Sequence, residues 1–399
     1  VIPGINPEAL QALQSQVEGN GLMGLLNIFS GGAFSNASIF ALGIMPYISA
    51  SIVIQLMGIV VPYFQKLQKE GESGRRKINQ WTRYLTIIVL LLQGPAYLAN
   101  LHAQLPDAAF VLGRGSVLFT VSATIVLIAG TMFVMWLGEK ITDKGIGNGV
   151  SLIIMVGIIA RLPHALMAEL NTRFTESTGG FVMLVVELAL LFLVFAATIA
   201  LVQATRKIPV QYAKRQVGRK MYGGQSSTLP MKVNMSGVLP IIFAQSIASL
   251  PITIWTFIGM PKEGTVSYSI YNAIDTKSVI YMVVYFIMII GFSYFYSSIQ
   301  FNPVEIANNL KKQGGFIPGF RPGQPTVQFI QKVLNRITMF GAIYLGIVAI
   351  CPLIVGKIID NSSLAIGGTS VIIVVGVALE TVKALENQML MRQYKGFLE

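Results

Sequence analysis

The sequence predicts an all-α integral membrane protein of nine bilayer-crossing helices, and three observations carry that prediction. Of its 399 residues, 53% are hydrophobic and only 12% charged, with mean hydropathy +0.66; an ordinary soluble domain carries about 25% charged residues. Apolar windows run through nearly the whole length, without the ten-residue alternation of a membrane β-barrel. The basic residues are also sorted: 23 of the 29 Lys and Arg fall in alternate loops and at the C-terminal end, leaving only Arg114, Arg161, Arg173, Lys262, Lys277 and Lys357 elsewhere. The positive-inside rule makes the side with 23 cytoplasmic, so the net charge of +12 is a cytoplasmic feature.

The elements follow in chain order. The stretch IFSGGAFSNASIF at 28–40 would rise about 20 Å as a helix, short of the roughly 30 Å hydrocarbon core. It is expected to be a short helix that does not cross, and by residues alone it reads as an interfacial helix on lipid. Spans are expected at about 43–63, 84–102, 117–138, 149–168, 181–204, 238–258, 279–300, 338–357 and 367–388. Nine spans with a cytoplasmic C-terminus place Val1 outside. The expectation is therefore that one earlier span is missing from this chain, and that ten spans divide into two fives, the arithmetic of inverted repeats.

Two loops exceed what topology needs. In loop 205–237 basic residues alternate with Ile208, Val210, Tyr212, Val217 and Tyr222, and Gly223-Gly224 marks a turn, so a hairpin with one charged face is expected. Loop 301–337 carries Pro303, Pro318, Pro322 and Pro325 with Gly314, Gly315, Gly319 and Gly323, the punctuation of a stiff, turned tip with Arg321 at its apex. Two readings stand side by side. The loops are topological charge resting near anionic lipid, or they are folded basic protrusions that dock a large polyanion or an acidic protein surface.

Chemistry at an active site has little to draw on. Cys351 is the only cysteine, His102 and His164 the only histidines, and no metal, nucleophile-elbow or phosphate-loop pattern is present. Glu187 lies within a span, as a transport carboxylate or as a residue facing protein; Glu380 lies toward the inner end of the last span beside Lys383. Aliphatic residues recur at helical spacing: Ile44, Ile48 and Ile52 share one face, as do Val150 and Ile154, while Ile242 and Ile373 sit singly in later spans. By spacing alone these face lipid or a neighbouring helix.

Longer motifs say more. FSGGAFSNASIFALGIMPYISASIVIQL at 29–56, KEGESGRRKINQWTRY at 69–84, ITDKGIGNGVSLII at 141–154, PVQYAKRQVGRKMYGGQSS at 209–227 and GGFIPGFRPGQPT at 314–326 closely resemble the bacterial SecY family, the channel subunit of the Sec protein translocon. The matches run in order through the whole chain, and VIPGIN at the start resembles the outer end of that family's first helix, leaving nine of its ten helices here.

The resemblance implies two inverted five-helix halves, here 1–180 and 181–399, around an hourglass pore. It implies a pore ring of Ile44, Ile48, Val150, Ile154, Ile242 and Ile373, and a plug over 22–42 that includes Phe29, Gly31, Gly32, Ser35 and Ile39. In the plug Gly31-Gly32 permit close, weak packing, and Ile28, Phe29, Ile39 and Phe40 anchor it. A lateral gate to lipid lies between the helix starting near Ile44 with its successor and the 238–258 and 279–300 helices, with Ser49, Gln93, Gln245 and Ser246 as its polar contacts. Docking of the SecA ATPase and the ribosome falls to Arg206, Lys207, Lys214, Arg215, Arg219, Lys220, Arg321 and Tyr394. The partners implied are SecE and SecG subunits, SecA, the ribosome through its RNA backbone, signal peptides, unfolded preproteins and membrane lipid. The implied activity is passive protein conduction, without enzyme chemistry, metal or cofactor, in the bacterial plasma membrane.

Overall fold

The structure, a computed structural model, describes residues 1–6, 30–105, 109–110, 116–175, 180–212, 215–217, 220–222, 226–235, 237–258, 278–358 and 362–395, with single positions 10, 27, 270 and 273. Its helices are α1 (Met45–Val60), α2 (Pro62–Lys69), α3 (Glu72–Gln104), α4 (Val117–Lys144), α5 (Gly149–Thr175), α6 (Gly180–Gln203), α7 (Leu239–Ile258), α8 (Val279–Gln300), α9 (Pro303–Lys312), α10 (Gln324–Ile358) and α11 (Ser362–Lys395). Five strands accompany them: β1 (Thr205–Tyr212), β2 (Arg215–Val217), β3 (Lys220–Tyr222), β4 (Ser226–Lys232) and β5 (Gly315–Phe316).

Local chemistry sets the breaks. Pro46 occupies the first turn of α1, where a missing N–H costs nothing. Val61 is extended (φ −100°, ψ 117°) because Pro62 excludes helical backbone at the residue before it. The chain therefore turns by 100° into α2, which buries Phe64 and Leu67 against Ile54. Asn148 starts α5, its Oδ1 accepting from the N–H groups of Val150 (3.1 Å) and Ser151 (3.4 Å). Asn302 starts α9 in the same way.

Each of the nine expected spans falls on a helix. Among the described residues, α3, α4, α6, α8 and α10 contain stretches long and apolar enough to cross a bilayer alone, and α1 with α2 makes a sixth, bent candidate. Helices α5 and α7 carry further apolar stretches, 149–163 and 239–248. Leu92, Val117, Phe192, Ile287 and Phe340 stand exposed on the outside of the bundle, as suits a surface bathed in hydrocarbon. Helix α1 packs on α3 and α4, and α4 on α3 and α5. A second set joins α7 to α8, α8 to α10, and α10 and α6 to α11. The two sets meet where α1 and α3 touch α7 and where α5 touches α6 and α11.

Three expectations need correction. The segment expected as a short helix is, over 30–43, a chain of turns, because Gly31 (φ 64°) and Gly32 (φ 89°) are consecutively left-handed and no right-handed helix passes through them. Its side-chain anchors also differ. Ile39 and Phe40 are exposed, and Phe34, Ala37 and Ala41 are the buried residues; Ile28 and Phe29 lie outside the described residues. Finally, loops 64–84 and 301–337 are largely helical, since α3 begins at Glu72 and α10 at Gln324. Hydropathy registers only the lipid-immersed part of a helix and stops where charge begins.

The two long basic loops form one body. In it β1 pairs antiparallel with β4, from Thr205 opposite Lys232 to Gln211 opposite Ser226, and with β5 at Gln211 and Tyr212. Alternation along β1 buries Ile208 and Val210 and exposes Arg206 and Lys207, as period-two patterning requires. The buried face packs Ile208, Val210 and Met231 on Ala307, Leu310, Ile317, Ile330, Val333, Leu334 and Ile337 of α9, α10 and the turn between them.

Candidate functional site

The six aliphatic residues singled out from sequence occupy four helices. Ile44 caps α1 and Ile48 lies one turn on; Val150 and Ile154 lie one turn apart at the start of α5; Ile242 sits in the first turn of α7 and Ile373 within α11. The fold brings all six into one apolar cluster. Ile44, Ile48, Ile154, Ile242 and Ile373 are at most 3% exposed, and Val150 is half-buried against them. The cluster draws on both helix sets at the places where they meet. Branched aliphatic side chains packed in this way offer water and ions no polar partner.

Segment 30–43 lies against α3, α4 and α5. Ser35 is fully buried, its N–H donating to Asn27 Oδ1 (3.0 Å) and its hydroxyl to the Gly32 carbonyl (3.2 Å). Tyr97 of α3 donates its hydroxyl to the Phe34 carbonyl (2.7 Å), and the two rings lie 4.9 Å apart. Phe40 reaches Phe133 of α4, with ring centroids 6.1 Å apart. Phe29 lies outside the described residues.

The polar residues named for the seam divide. Ser49 and Ser246 donate within their own helices, to the carbonyls of Met45 (3.2 Å) and Ile242 (2.8 Å). Gln245 is buried and its Oε1 accepts from the Tyr285 hydroxyl (3.1 Å), tying α7 to α8. Gln93 is half-buried on α3. A polar contact between α1 and α8 comes from a pair that sequence reasoning missed: Gln55 is hydrogen-bonded to Tyr296 and also donates to Ser51 Oγ (3.1 Å). Its signal was a lone amide in the apolar run SIVIQLM.

On the basic body Arg206, Lys207 and Arg321 are exposed. Arg321 sits on a braced tip: the Phe320 and Phe329 rings are 4.2 Å apart, and Thr326 donates its hydroxyl to the Arg321 carbonyl (2.8 Å). Arg215 and Lys220 lie on β2 and β3, and Tyr394 in the last turn of α11; Lys214 and Arg219 lie outside the described residues. Arg83 and Glu139 form an ion pair between α3 and α4. Glu187 is buried within the bundle, not lipid-facing. Glu380 has its carboxylate against Gly237, with Lys232 and Lys383 as charged neighbours. Among the described residues no group of His, Cys, Asp and Glu is arranged to hold a metal.

Comparison with known proteins completes the site. The family model SecY matches residues 38–382. Relatives named "Protein translocase subunit SecY" include one from Streptomyces scabiei, 44% identical over 404 residues, and one from Halalkalibacterium halodurans, 46% identical over 404 residues. Each alignment covers 100% of this chain and 92% of the relative. Among solved structures, one described as "The structure of a protein conducting channel" aligns with TM-score 0.65 at 20% identity, over 91% of this chain and 84% of that one. A second, whose description states that the SecY plug domain stabilizes the closed state of the channel and maintains a membrane seal, gives TM-score 0.64 at 18% identity, over 98% and 94%. A third, Sec61 in a canine ribosome–channel complex from the endoplasmic reticulum, gives 0.59 at 18%, over 88% and 82%. These likenesses fix the fold as that of the translocation channels, and the relatives together with the family match show that this chain, a mostly helical multi-pass membrane protein, belongs to the SecY family.

Proposed function

We propose that this chain is the protein-conducting subunit of a bacterial Sec translocon, and not an enzyme. It passes unfolded secretory proteins across the plasma membrane and releases apolar segments sideways into lipid. The observation that carries the reading is that Ile44, Ile48, Ile154, Ile242 and Ile373, with Val150 packed against them, fall in one buried apolar cluster, which also takes in residues of α6, α8 and α10. We assign it as the pore ring, with residues 1–180 and 181–399 as the two halves around an hourglass pore. Segment 30–43, with Gly31, Gly32, Ser35 and Ile39, is the described part of the plug. The seam of α1 and α3 against α7 and α8 is the lateral gate, with Ser49, Gln93, Gln245 and Ser246 near it and Gln55–Tyr296 across it.

The basic body faces the cytoplasm and docks the SecA motor or the ribosome, through Arg206, Lys207, Arg215, Lys220, Arg321 and their neighbours Lys214 and Arg219, with Tyr394 on the last helix as a further contact. Its exposed cations and braced tip suit an acidic protein face or an RNA backbone. SecE and SecG subunits, signal peptides and membrane lipid complete the partners. Energy comes from the motor or from synthesis, since a ring of aliphatic side chains supplies none.

The reading is tested by placing asparagine at Ile242 and Ile373 and measuring ion conductance of the resting protein in planar bilayers, with export of a precursor carrying a defective signal measured alongside. Raised conductance and relaxed signal selectivity are expected. Unchanged values for both variants remove these residues from the seal.

A further inference from the structure

Segment 30–43 buries Phe34, Ala37 and Ala41 in an apolar cluster, and its backbone adds contacts of its own. Its large apolar residues Ile39 and Phe40 are exposed, so ordinary hydrophobic anchoring is weak at one end. The close contacts are instead made by its backbone, against residues of three helices. On α3, Tyr97 is buried and donates its hydroxyl to the Phe34 carbonyl at 2.7 Å, with its ring against Phe34. On α4, Gly130 lies under the Ile39 carbonyl, so closely that a β-carbon at 130 would collide with that oxygen. On α5, Gly157 faces Gly31, where an added β-carbon would meet the Gly157 Cα at 3.3 Å. One turn further along, Arg161 lies over Gly32, its Nε 3.1 Å from where a β-carbon would stand. The glycines of segment and helices thus let main chain approach main chain, and a tyrosine and an arginine close over the turn.

We propose that Tyr97, Gly130, Gly157 and Arg161 form a dedicated seat for the 30–43 turn, and that the strength of this seat sets how readily the resting channel opens. The proposal rests on the plug reading above and deepens it by naming what the plug sits on. The contacts are backbone hydrogen bonding and van der Waals approach over a small area. Contact of this kind releases as a unit when the helices shift by a fraction of an ångström, because dispersion contact falls off steeply with distance. Ser35 at the centre of the turn is fully buried while the seat is filled and reports its opening. Tyr97 and Arg161 act as positioning residues: Tyr97 packs in the segment's own apolar cluster and Arg161 lies over Gly32, so their effect on conduction passes through the segment.

The test uses the protein in membrane vesicles, with Cys351→Ser removing the one cysteine of these 399 residues, any thiol outside them likewise replaced, and Ser35→Cys as reporter. Labelling by a membrane-impermeant maleimide is followed with and without a stalled secretory precursor. Tyr97→Phe removes one hydrogen bond and keeps the ring, so resting labelling should rise roughly two- to tenfold, the range a single net hydrogen bond supports. Gly130→Ala should raise it further, and Arg161→Ala should raise it as well. A second reporter, Ala342→Cys, buried on α10 away from the segment, must stay protected in all three variants; labelling there would mean general loosening and would overturn the seat. So would unchanged Ser35→Cys labelling in Tyr97→Phe and Gly130→Ala protein that unfolds at the wild-type temperature. The underlying plug reading is separately exposed. If a stalled precursor does not raise Ser35→Cys labelling in the unsubstituted seat, the plug assignment fails; if it does while the variants change nothing, only the seat fails.

Discussion

Tyr285 is fully buried and its hydroxyl has one task, donating to Gln245 Oε1 across the α7–α8 contact. Tyr285→Phe leaves a buried amide oxygen without that donor and should destabilise the protein by about 1–3 kcal/mol, read as an earlier thermal transition in detergent. At the same scale Glu187 is a buried carboxyl-bearing residue on α6. Glu187→Gln should leave precursor export at its wild-type rate, and a loss of export would bring back a carboxylate-based transport mechanism. Individual residues were legible where their role depends on type and spacing. The six aliphatic residues were named from sequence and family resemblance, and the fold gathers them. Residues whose role depends on a distant partner were not legible: nothing in the order of the chain says that Tyr97 meets Phe34, Gly130 meets Ile39, or Gln55 meets Tyr296.

At the scale of elements, the hairpin of β1 and β4 could be read from strict alternation, because a strand with one buried face repeats every two residues. What covers that face could not be read. The loop around Arg321 looked like punctuation, with four prolines and four glycines, yet it contributes α9, β5 and the first turns of α10 to one apolar core with β1 and β4. Two separate loops in sequence are a single folded protrusion. Ile208→Ala removes buried volume at the centre of that core and should cost it about 2–5 kcal/mol of local stability, seen as faster amide exchange in β1 and β4 with the membrane helices unaffected. Arg321→Glu reverses charge at the exposed tip without touching the core. It should abolish motor-driven export into vesicles while the fold stays intact, and normal export would remove Arg321 from the docking surface. Helix lengths were misread for a simple reason: α3 and α10 run past the bilayer as charged helices, and hydropathy is blind to helical structure outside lipid.

For the molecule as a whole, two sets of helices meet along α1 and α3 against α7 on one side and at α5 with α6 and α11 on another. The apolar cluster lies among the helices of these contacts. Most packing is internal to each set, and the contacts between the sets include both aliphatic residues and the polar Gln55–Tyr296 pair. Class and membrane topology were written in composition and charge sorting, and the family in its long motifs. The pairing of helices across the seam was not, because lipid-facing and protein-facing sides of a uniformly apolar helix look alike in sequence. The central claim is that a translocating chain passes through the ring. A photocrosslinker placed in turn at Ile48, Ile154 and Ile373, with a stalled secretory chain in the membrane, tests it directly, using exposed Ile287 on the outside of the bundle as the control position. The account predicts crosslinks to the stalled chain from all three ring positions and none from Ile287; crosslinks from Ile287 with none from the ring would contradict it.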